Sequence, residues 1–496
     1  AGHLGLNKLI LLYDYNSITI DGPTDISYSD NPSQRFDSYN WHTQEIDIRN
    51  GDYTQFKKAI ENAKNEVNKP SIIVMKTIAG KGLVNYEGSH KSHGNPMNES
   101  DVIESKNKLN INESFFIPDK VKEYFNKKQE DFKNAYESWE VMFDDWKIKN
   151  PALAKEFELC LEMRLDISEN KIFENEQDKP LATRALSGKV INAISDKVPF
   201  LVGGSADLAG STKTTIENSD FISRNNFNAR NIHFGVREHA MGGILNGIAL
   251  HKGLRPYGGT FLVFSDYMRP AIRLASLMKL PVIYIFTHDS FQVGEDGPTH
   301  QPIEQISSLR DIPNLTVIRP ADAIETEESW KYILKQKENP AALILTRQKV
   351  KPINRKKYID DIKNIQKGAY IIKDCKGEPD LILIACGSEL PLAIEVSDEI
   401  ENKYEKKLRV ISMISQEIFD SQMDSYKEQV LPPNIRSRVA IESGITDSWK
   451  KYVGIDGLAI GINRFGESAP ATDLVDYFGF TKAKVIEKIS IFFGFK

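Results

Sequence analysis

A nine-residue loop, Gly294-Glu-Asp-Gly-Pro-Thr-His-Gln-Pro302, constrains this 496-residue chain more than any other segment. It follows the apolar run Pro281–Phe286, which predicts a strand buried on both faces, as in a parallel sheet. Ligands of open α/β sheets bind just beyond the carboxyl ends of such strands. Here that position carries Thr287–Ser290 and then the loop, which together hold two histidines and several carboxylates. A plain polar loop is the alternative, but this concentration of titratable groups favours a binding or catalytic site.

Composition is that of a globular protein, with 40% hydrophobic and 27% charged residues. A length of 496 residues exceeds the length that a single hydrophobic core usually supports, so about two to four domains are expected. The net charge of −5 argues against an electrostatic nucleic-acid surface, and no apolar run approaches the length of a membrane span. Three widely spaced cysteines (Cys160, Cys375 and Cys386) form neither a disulfide framework nor a metal motif, which suits a reducing cytoplasm.

Apolar runs and helical stretches alternate in three parts of the chain, which predicts α/β domains with mainly parallel sheets. In the first part, Leu9–Tyr13 and Ser71–Met75 read as strands around a helix at Tyr53–Val67. Later strands are predicted at Phe200–Val202, Asn231–Phe234, Val282–Phe286, Leu315–Ile318, Ala342–Leu345, Leu381–Ala385, Arg409–Met413 and Val439–Ile441. A Lys-, Glu- and Asn-rich stretch between the first two parts predicts a helical linker. The predicted boundaries are 1–110, 111–179 for the linker, 180–350 and 360–496.

Seven short segments, in order and with similar spacing, closely resemble the transketolase family of thiamine diphosphate enzymes. They are Asp14–Gly22, Ser92–Pro96, Gly203–Leu208, His233–Glu238, Gly294–Pro302, Ala342–Gln348 and Phe465–Pro470. Each segment alone is weak evidence, and their common order from Ala1 to Lys496 carries the likeness. The resemblance implies three doubly wound α/β domains: a diphosphate-binding domain, incomplete at its start, a pyrimidine-binding domain after the linker, and a C-terminal domain.

The resemblance also implies an activity: reversible transfer of a two-carbon ketol unit from a ketose phosphate to an aldose phosphate in the pentose phosphate pathway. It implies a homodimer with active sites between subunits. The cysteines, the net charge and the short apolar runs predict a cytoplasmic protein with no nucleic-acid or membrane partner. Dihydroxyacetone synthase and 1-deoxyxylulose-5-phosphate synthase are alternatives within the enzyme class. A non-catalytic remnant that partners an intact subunit is the alternative outside it.

Glu238 is the first candidate for catalysis. Apolar residues at Met241, Ile244, Leu245 and Ile248 place it near the start of a helix, where an acidic residue commonly just stabilises the helix dipole. The resemblance implies that its carboxylate bonds N1′ of the aminopyrimidine and so promotes loss of the proton from thiazolium C2. It also implies cofactor contacts by Asp207 and by an aromatic trio, Phe261, Phe264 and Tyr267. The alternative for the trio is one face of a core helix.

The substrate candidates also come from the resemblance. Arg184, Ser211, His288 and Arg347 match the positions that hold the sugar phosphate, where guanidinium forks bind phosphate bidentately. Asp296 matches the carboxylate that reads the C2 hydroxyl of the substrate. His300 and His93 match catalytic histidines that line the reacting carbon, and His93 also matches a cofactor contact. His90 has no counterpart and reads as a surface histidine.

A metal site is implied at Asn16 and Ile18, where a side-chain amide oxygen and a backbone carbonyl are hard ligands suited to Mg²⁺ or Ca²⁺. Asn in a turn after a strand is also an ordinary turn residue. The metal Asp and Gly-Asp-Gly turn of the family lie about 30 residues upstream, before Ala1. The sequence therefore predicts that these residues alone bind the cofactor poorly, lack measurable ketol transfer and form a weakened dimer.

Overall fold

The computed structural model describes residues 1–111, 113–164, 172–173, 179–355 and 362–495. The chain forms two compact units, one of Ala1–Lys149 with Ser223–Phe227, the other of Asn150–Ile222 with Asn228–Lys496. Among the described residues, no helix is both long and apolar enough to cross a lipid bilayer.

Strands and helices alternate along both units. The strands are β1 (Ile10–Tyr15), β2 (Ile18–Thr19), β3 (Gly22–Pro23), β4 (His42–Asp47), β5 (Ser71–Lys76), β6 (Leu201–Ser205), β7 (Asn231–His233), β8 (Arg255–Phe261), β9 (Ile283–Thr287), β10 (Thr316–Ile318), β11 (Ala341–Leu345), β12 (Tyr370–Lys373), β13 (Leu381–Ala385), β14 (Leu408–Ser412), β15 (Arg438–Ile441) and β16 (Leu458–Ile460). The α-helices are α1 (Pro32–Ser38), α2 (Thr54–Asn65), α3 (Glu99–Lys108), α4 (Asp119–Lys149), α5 (Pro151–Glu162), α6 (Thr183–Ile194), α7 (Ala209–Thr212), α8 (Glu238–His251), α9 (Ser265–Leu277), α10 (Gln305–Arg310), α11 (Ala323–Lys335), α12 (Glu389–Tyr404), α13 (Gln416–Asp420), α14 (Asp424–Val430), α15 (Lys450–Val453), α16 (Ala471–Tyr477) and α17 (Lys482–Phe493).

The main sheet of the first unit has three parallel strands in the order β1-β5-β4 within the described residues. Alternate side chains of the central strand point to opposite faces, so β5 contributes to two small cores. Ile73 packs with Ala63 of α2, and Ile72 packs with Trp41. β1 lies at one edge, where Leu12 is 44% exposed.

The second unit begins with a six-stranded, all-parallel sheet in the order β10-β11-β9-β8-β6-β7, counted over the described residues. Its strand β9 is buried on both faces. Ile283 and Ile285 belong to one apolar cluster, and Tyr284 and Phe286 belong to another. The prediction of a doubly buried strand before the Gly294–Pro302 loop is therefore confirmed.

A five-stranded sheet follows in the described residues, in the order β12-β14-β13-β15-β16, with β12 antiparallel and the others parallel. Leu383 and Val410 of this sheet lie in the same apolar cluster as Ile283 of the preceding one. The two sheets thus share one core, which explains why they form a single compact unit. The predicted class, α/β with mainly parallel sheets, is confirmed, while the predicted domain boundaries remain predictions.

Each predicted strand overlaps an observed one, but six strands of the described residues have no predicted counterpart: β2, β3, β4, β8, β12 and β16. β4 is largely polar, and Ile46 is its one buried side chain. β8 contains two glycines that obscure any strand pattern. A Cβ on Gly258 would lie 2.6 Å from Cδ1 of Leu245, and one on Gly259 would lie 2.7 Å from Cγ2 of Thr214. Close packing of neighbouring elements therefore requires glycine inside this strand.

Helices α4 and α5 cover most of the described residues in the range predicted as a linker, whose assignment as a linker stays a prediction. No residue of α4 is buried, and its rings Trp139, Phe143 and Trp146 stack on one another. Residues 112, 165–171 and 174–178 of the predicted linker lie outside the described ranges, as does residue 360, the predicted start of the third domain.

Candidate active site

Neighbouring strands of the six-stranded sheet end side by side, and the candidate site begins where they end. Phe261, the last residue of β8, is the Cα partner of Thr287 at the end of β9. Thr287 in turn pairs with Leu345, the last residue of β11. His288 and Arg347, which follow β9 and β11, therefore lie at the same edge of the sheet as Phe261. Ligands of such sheets bind at this edge.

His288 is held in one orientation by two hydrogen bonds. It is 4% exposed, and its backbone lies in the left-handed region with φ 62°. Its Nδ1 lies 2.8 Å from Oγ1 of Thr287, and its Nε2 lies 3.3 Å from Nη1 of Arg184. Because a guanidinium only donates, Nε2 accepts from Arg184 and the ring proton sits on Nδ1, which donates to Thr287.

Arginine charge surrounds this histidine. Burial, followed by the charges of Arg184, Arg347 and His300, lowers the pKa of His288 to about 3 from 6.5. Burial and the nearby Arg347 also lower the pKa of Arg184, whose Nη1 donates to the backbone oxygen of Ser211 at 2.8 Å. Within the described ranges neither arginine forms an ion pair with a carboxylate. Arg184, Ser211, His288 and Arg347, here called the cationic cluster, therefore suit an anionic ligand.

The aromatic trio spans three elements, so the interpretation as one face of a core helix is wrong. Phe261 ends β8, Phe264 closes a 3-10 turn, and Tyr267 lies in α9. The buried ring of Phe261 stacks on His288 with centroids 3.6 Å apart. Phe264 is half-buried, lies parallel to Phe261 and meets the edge of His300 at 5.5 Å. Tyr267 is exposed, 6.1 Å from Phe264.

Asp296 and His300 occupy the Gly294–Pro302 loop, which folds as a series of tight turns. Gly297 has φ 76°, and its carbonyl accepts the backbone N–H of His300 at 3.0 Å. Asp296 is exposed, and His300 is half-buried with its Nδ1 2.9 Å from Oγ1 of Thr299. The loop thus places the imidazole of His300 beside Phe264 and carries the exposed carboxylate of Asp296 in the same series of turns.

Glu238 and Asp207 follow two other strands of the same sheet. Glu238 is the first residue of α8, as the sequence predicted, and is half-buried. It follows β7 after a turn at Gly235, which has φ 70°. Asp207 is exposed in the turn after β6 and has φ 62°. Both carboxylates therefore lie at strand ends of the sheet that carries the cationic cluster.

Three candidates, Asn16, Ile18 and His93, belong to the first unit. Asn16 Oδ1 accepts the backbone N–H of Ile18 at 3.0 Å across Ser17, which has φ 62°. Ile18 lies opposite Pro23 in a two-residue hairpin, and His93 is exposed after a 3-10 turn. Among the described residues, no group of three or more His, Cys, Asp or Glu side chains is arranged to hold a metal ion.

One buried charge network beside the site was not predicted. Asp289, the residue after His288, accepts from Nε and Nη2 of Arg319 at 3.0 and 2.7 Å. Arg319 also pairs with Glu389 at the start of α12, and all three side chains are buried. Asp289 was visible in the sequence beside His288, but nothing local connects it with an arginine 30 residues later.

Comparison with known families gives three matches in chain order. Residues 1–166 match the transketolase thiamine diphosphate binding domain, and residues 179–352 match the transketolase pyrimidine binding domain. Residues 368–481 match the transketolase-like C-terminal domain.

Whole-chain relatives agree. Transketolase of Aquifex aeolicus is 45% identical over 493 residues, which are 99% of this chain and 70% of that protein. Transketolase of Bacillus subtilis is 44% identical over 494 residues, which are 99% of this chain and 74% of the relative.

Solved structures show the same fold. Transketolase from Leishmania mexicana superposes with a TM-score of 0.93 at 35% identity, covering 100% of this chain and 73% of the other. The Pichia stipitis transketolase complex with sedoheptulose-7-phosphate gives the same TM-score and identity, over 100% of this chain and 74% of the other. The chain therefore belongs to the transketolase family of thiamine diphosphate enzymes.

Proposed function

We propose that the cationic cluster binds the phosphate group of the sugar substrate. The observation that carries this proposal is that Arg184 and Arg347 lie close together, without a carboxylate partner in the described chain, beside a neutral His288. Two guanidinium groups can hold a phosphate dianion bidentately, and Ser211 adds a hydroxyl donor. Pichia stipitis transketolase is solved with sedoheptulose-7-phosphate and with xylulose-5-phosphate, which favours substrates of that class.

The substrate carbon chain would extend from the cationic cluster toward the Gly294–Pro302 loop. His300 adjoins the cluster, since its charge contributes to lowering the pKa of His288. In this proposal the carboxylate of Asp296 accepts a hydrogen bond from the C2 hydroxyl. His300 and His93 exchange a proton with the oxygen on the reacting carbon.

Phe264 offers the aromatic surface that the aminopyrimidine of thiamine diphosphate needs. The ring of Phe261 already stacks on His288. Phe264, in contrast, is half-buried, and the exposed Tyr267 lies beside it. These residues fit the cofactor, with Asp207 as a further contact, and Glu238 would hold a proton at N1′ of the aminopyrimidine. Bound thiamine diphosphate supplies the nucleophilic carbon that accepts the two-carbon unit.

Asn16 and Ile18 would provide two oxygen ligands to a Mg²⁺ or Ca²⁺ ion that binds with the diphosphate. The amide oxygen of Asn16 has two lone pairs and gives one to the N–H of Ile18. Pro23, the Cα partner of Ile18, has no N–H to donate to the carbonyl of Ile18. Both oxygens are hard donors of the kind that these cations prefer, although a full shell needs about six ligands.

Self-association would involve α8, which begins at Glu238, and α9, which contains Tyr267. These helices and their approaches expose many large apolar side chains: Val236, Ile244, Leu250, Tyr267, Leu274, Leu277 and Met278. Exposed apolar surface of this extent favours a protein interface. A homodimer would cover it and would place Glu238, at the start of α8, close to the partner subunit.

The resulting activity is ketol transfer between a ketose phosphate and an aldose phosphate. The names of the relatives at 44–45% identity favour it over dihydroxyacetone synthase and 1-deoxyxylulose-5-phosphate synthase. The proposal places this reaction in the pentose phosphate pathway and in the cytoplasm, where the free cysteines Cys160, Cys375 and Cys386 remain reduced.

Phosphate recognition can be tested by replacing Arg184 or Arg347 with Ala. Each change removes a charge-assisted contact worth about 1.5–3 kcal/mol, so KM for a phosphorylated donor should rise about 10- to 150-fold. KM for hydroxypyruvate, an unphosphorylated donor, should change far less. The control is Arg436→Ala, which removes an exposed arginine paired with Asp456. Equal losses with both donors would show that the two arginines support the fold and not the phosphate.

A further inference from the structure

The C-terminal segment Phe465–Pro470 lies against the Gly294–Pro302 loop, although the two are far apart in sequence. Gln301 is 2% exposed, and its side-chain amide pairs with the backbone of Glu467 in both directions. Gln301 Nε2 donates to the oxygen of Glu467 at 2.8 Å, and Gln301 Oε1 accepts the N–H of Glu467 at 3.1 Å. Nε2 also donates to the oxygen of Gly294 at 2.8 Å, so Gln301 joins both ends of the loop to the segment.

Further bonds reach the loop from the segments that follow β15 and β16 of the five-stranded sheet. Oγ of Ser468 donates to the backbone oxygen of Glu295 at 2.7 Å. The N–H of Ile445 donates to the oxygen of Ile303 at 3.0 Å, just beyond the loop. These contacts therefore flank Asp296 and His300 on both sides.

Space between the two segments is tight enough to demand glycine. A Cβ on Gly466 would lie 1.7 Å from Oε1 of Gln301, so an alanine there would push the Gln301 amide away from its hydrogen-bond partners in Glu467. A Cβ on Gly297 would lie 3.2 Å from Cβ of Ser468, and Gly297 has φ 76°. Phe465, in contrast, is 72% exposed, so the contact depends on the backbone and small side chains of the segment.

We propose that the segment Phe465–Pro470 is a positioning element for substrate recognition, which sets the loop so that Asp296 and His300 meet the sugar. This inference rests on the proposed roles of Asp296 and His300. A loop with two glycines has little rigidity of its own. Displacement of a catalytic or binding group by about 1 Å can lower the rate by about 100-fold. The segment after β16 would thereby contribute to specificity without touching the substrate.

The test uses the holoenzyme of the full-length protein and compares two acceptors: D-glyceraldehyde, which has a C2 hydroxyl, and propanal, which lacks it. Ser468→Ala and Gln301→Ala should lower the ratio of kcat/KM values for these acceptors by about 3- to 30-fold, whereas a loss of active protein alone would lower both values equally. Ser421→Ala is the matched control, because its exposed hydroxyl also donates to a backbone oxygen at 2.7 Å, within α13 and its turn. It should leave the ratio unchanged.

Gly466→Ala adds a test of coupling between the two segments. Its methyl group would lie 1.7 Å from Oε1 and 2.8 Å from Cδ of Gln301, so Gln301→Ala removes these two collisions and leaves only a 3.2 Å contact with Cβ. The double variant Gln301→Ala/Gly466→Ala should therefore have the same ratio as Gln301→Ala alone. If the double variant instead lowers the acceptor ratio by the product of the two single-variant factors, Gly466 and Gln301 act independently, and the proposal is overturned.

Asp296→Ala separates this inference from the proposed function. If Asp296→Ala lowers the acceptor ratio and the Ser468 and Gln301 variants do not, the positioning role is wrong and the role of Asp296 stands. If Asp296→Ala leaves the ratio unchanged, the proposed role of Asp296 fails. Hydrogen exchange of the peptide that covers Gly294–Pro302 then decides the inference, because Ser468→Ala should accelerate it and Ser421→Ala should not. Equal exchange in both variants would overturn it.

Discussion

His288 offers a sharp physical prediction, because its protonation state follows from its surroundings. The ring is buried, accepts from Arg184 at Nε2 and donates from Nδ1 to Thr287. A second ring proton would have to sit on Nε2, against the guanidinium of Arg184. We therefore expect His288 to stay neutral at pH values where an ordinary histidine is charged.

The expected size of the effect follows from the shift to a pKa of about 3. At pH 5 about 1% of His288 would be protonated, against about 97% of a histidine with the ordinary value of 6.5. Because the folded pKa is below the unfolded one, His288 contributes stability that is fully present above pH 6.5. That contribution is lost as pH falls toward 3, by about 2 kcal/mol at pH 5.

The direct assay is a pH titration of the imidazole ring by NMR with ¹⁵N-labelled histidine. The signal of His288 is identified by its absence in His288→Gln, and a urea-denatured sample provides the unperturbed reference. Its Nδ1-protonated pattern should persist from pH 8 to pH 5 in the native protein. In Arg347→Ala the pKa should rise toward 6.5, because one of the opposing charges is gone, while burial still keeps it lower. A native titration midpoint near 6.5 would refute both the tautomer and the charge assignment.

Two other predictions concern stability and assembly. Arg319→Met should lower the free energy of unfolding by about 3–5 kcal/mol, because Asp289 and Glu389 stay buried without their counter-charge. Urea denaturation measures this free energy, and a loss under about 1 kcal/mol would contradict the account. Leu274→Glu combined with Leu277→Glu should shift the protein from dimer to monomer in sedimentation velocity, because both exposed leucines would face the partner. A dimer that persists would exclude this part of α9 from the interface.

Local sequence patterns could predict a good part of this fold and site. Apolar spacing after Glu238 identified the helix that begins there, and the apolar run before His288 identified a strand buried on both faces. These predictions succeeded because periodicity reflects burial directly. Local patterns do not predict strand β8, because two of its positions are glycine. A larger residue at either position would collide with Leu245 or Thr214, which lie elsewhere in the chain.

Long-range pairs account for the rest of what the sequence could not reveal. The tautomer of His288 depends on Arg184, 104 residues earlier, and the position of Gln301 depends on Glu467, 166 residues later. Neither pair leaves a local pattern. The segment Phe465–Pro470 is visible as a family resemblance, but its hydrogen bonds to Gln301 and Glu295 are what connect it with the Gly294–Pro302 loop.

The central claim, a thiamine diphosphate site activated by Glu238, is tested most directly in the full-length protein by exchange of the cofactor C2 proton for deuterium. Glu238→Ala should slow this exchange by at least about 10²- to 10⁴-fold relative to the unmodified protein, the range typical of general acid–base groups. Glu399→Ala, which removes an exposed carboxylate paired with Lys482, should leave the rate unchanged. Exchange in Glu238→Ala at the rate of the unmodified protein would contradict the account.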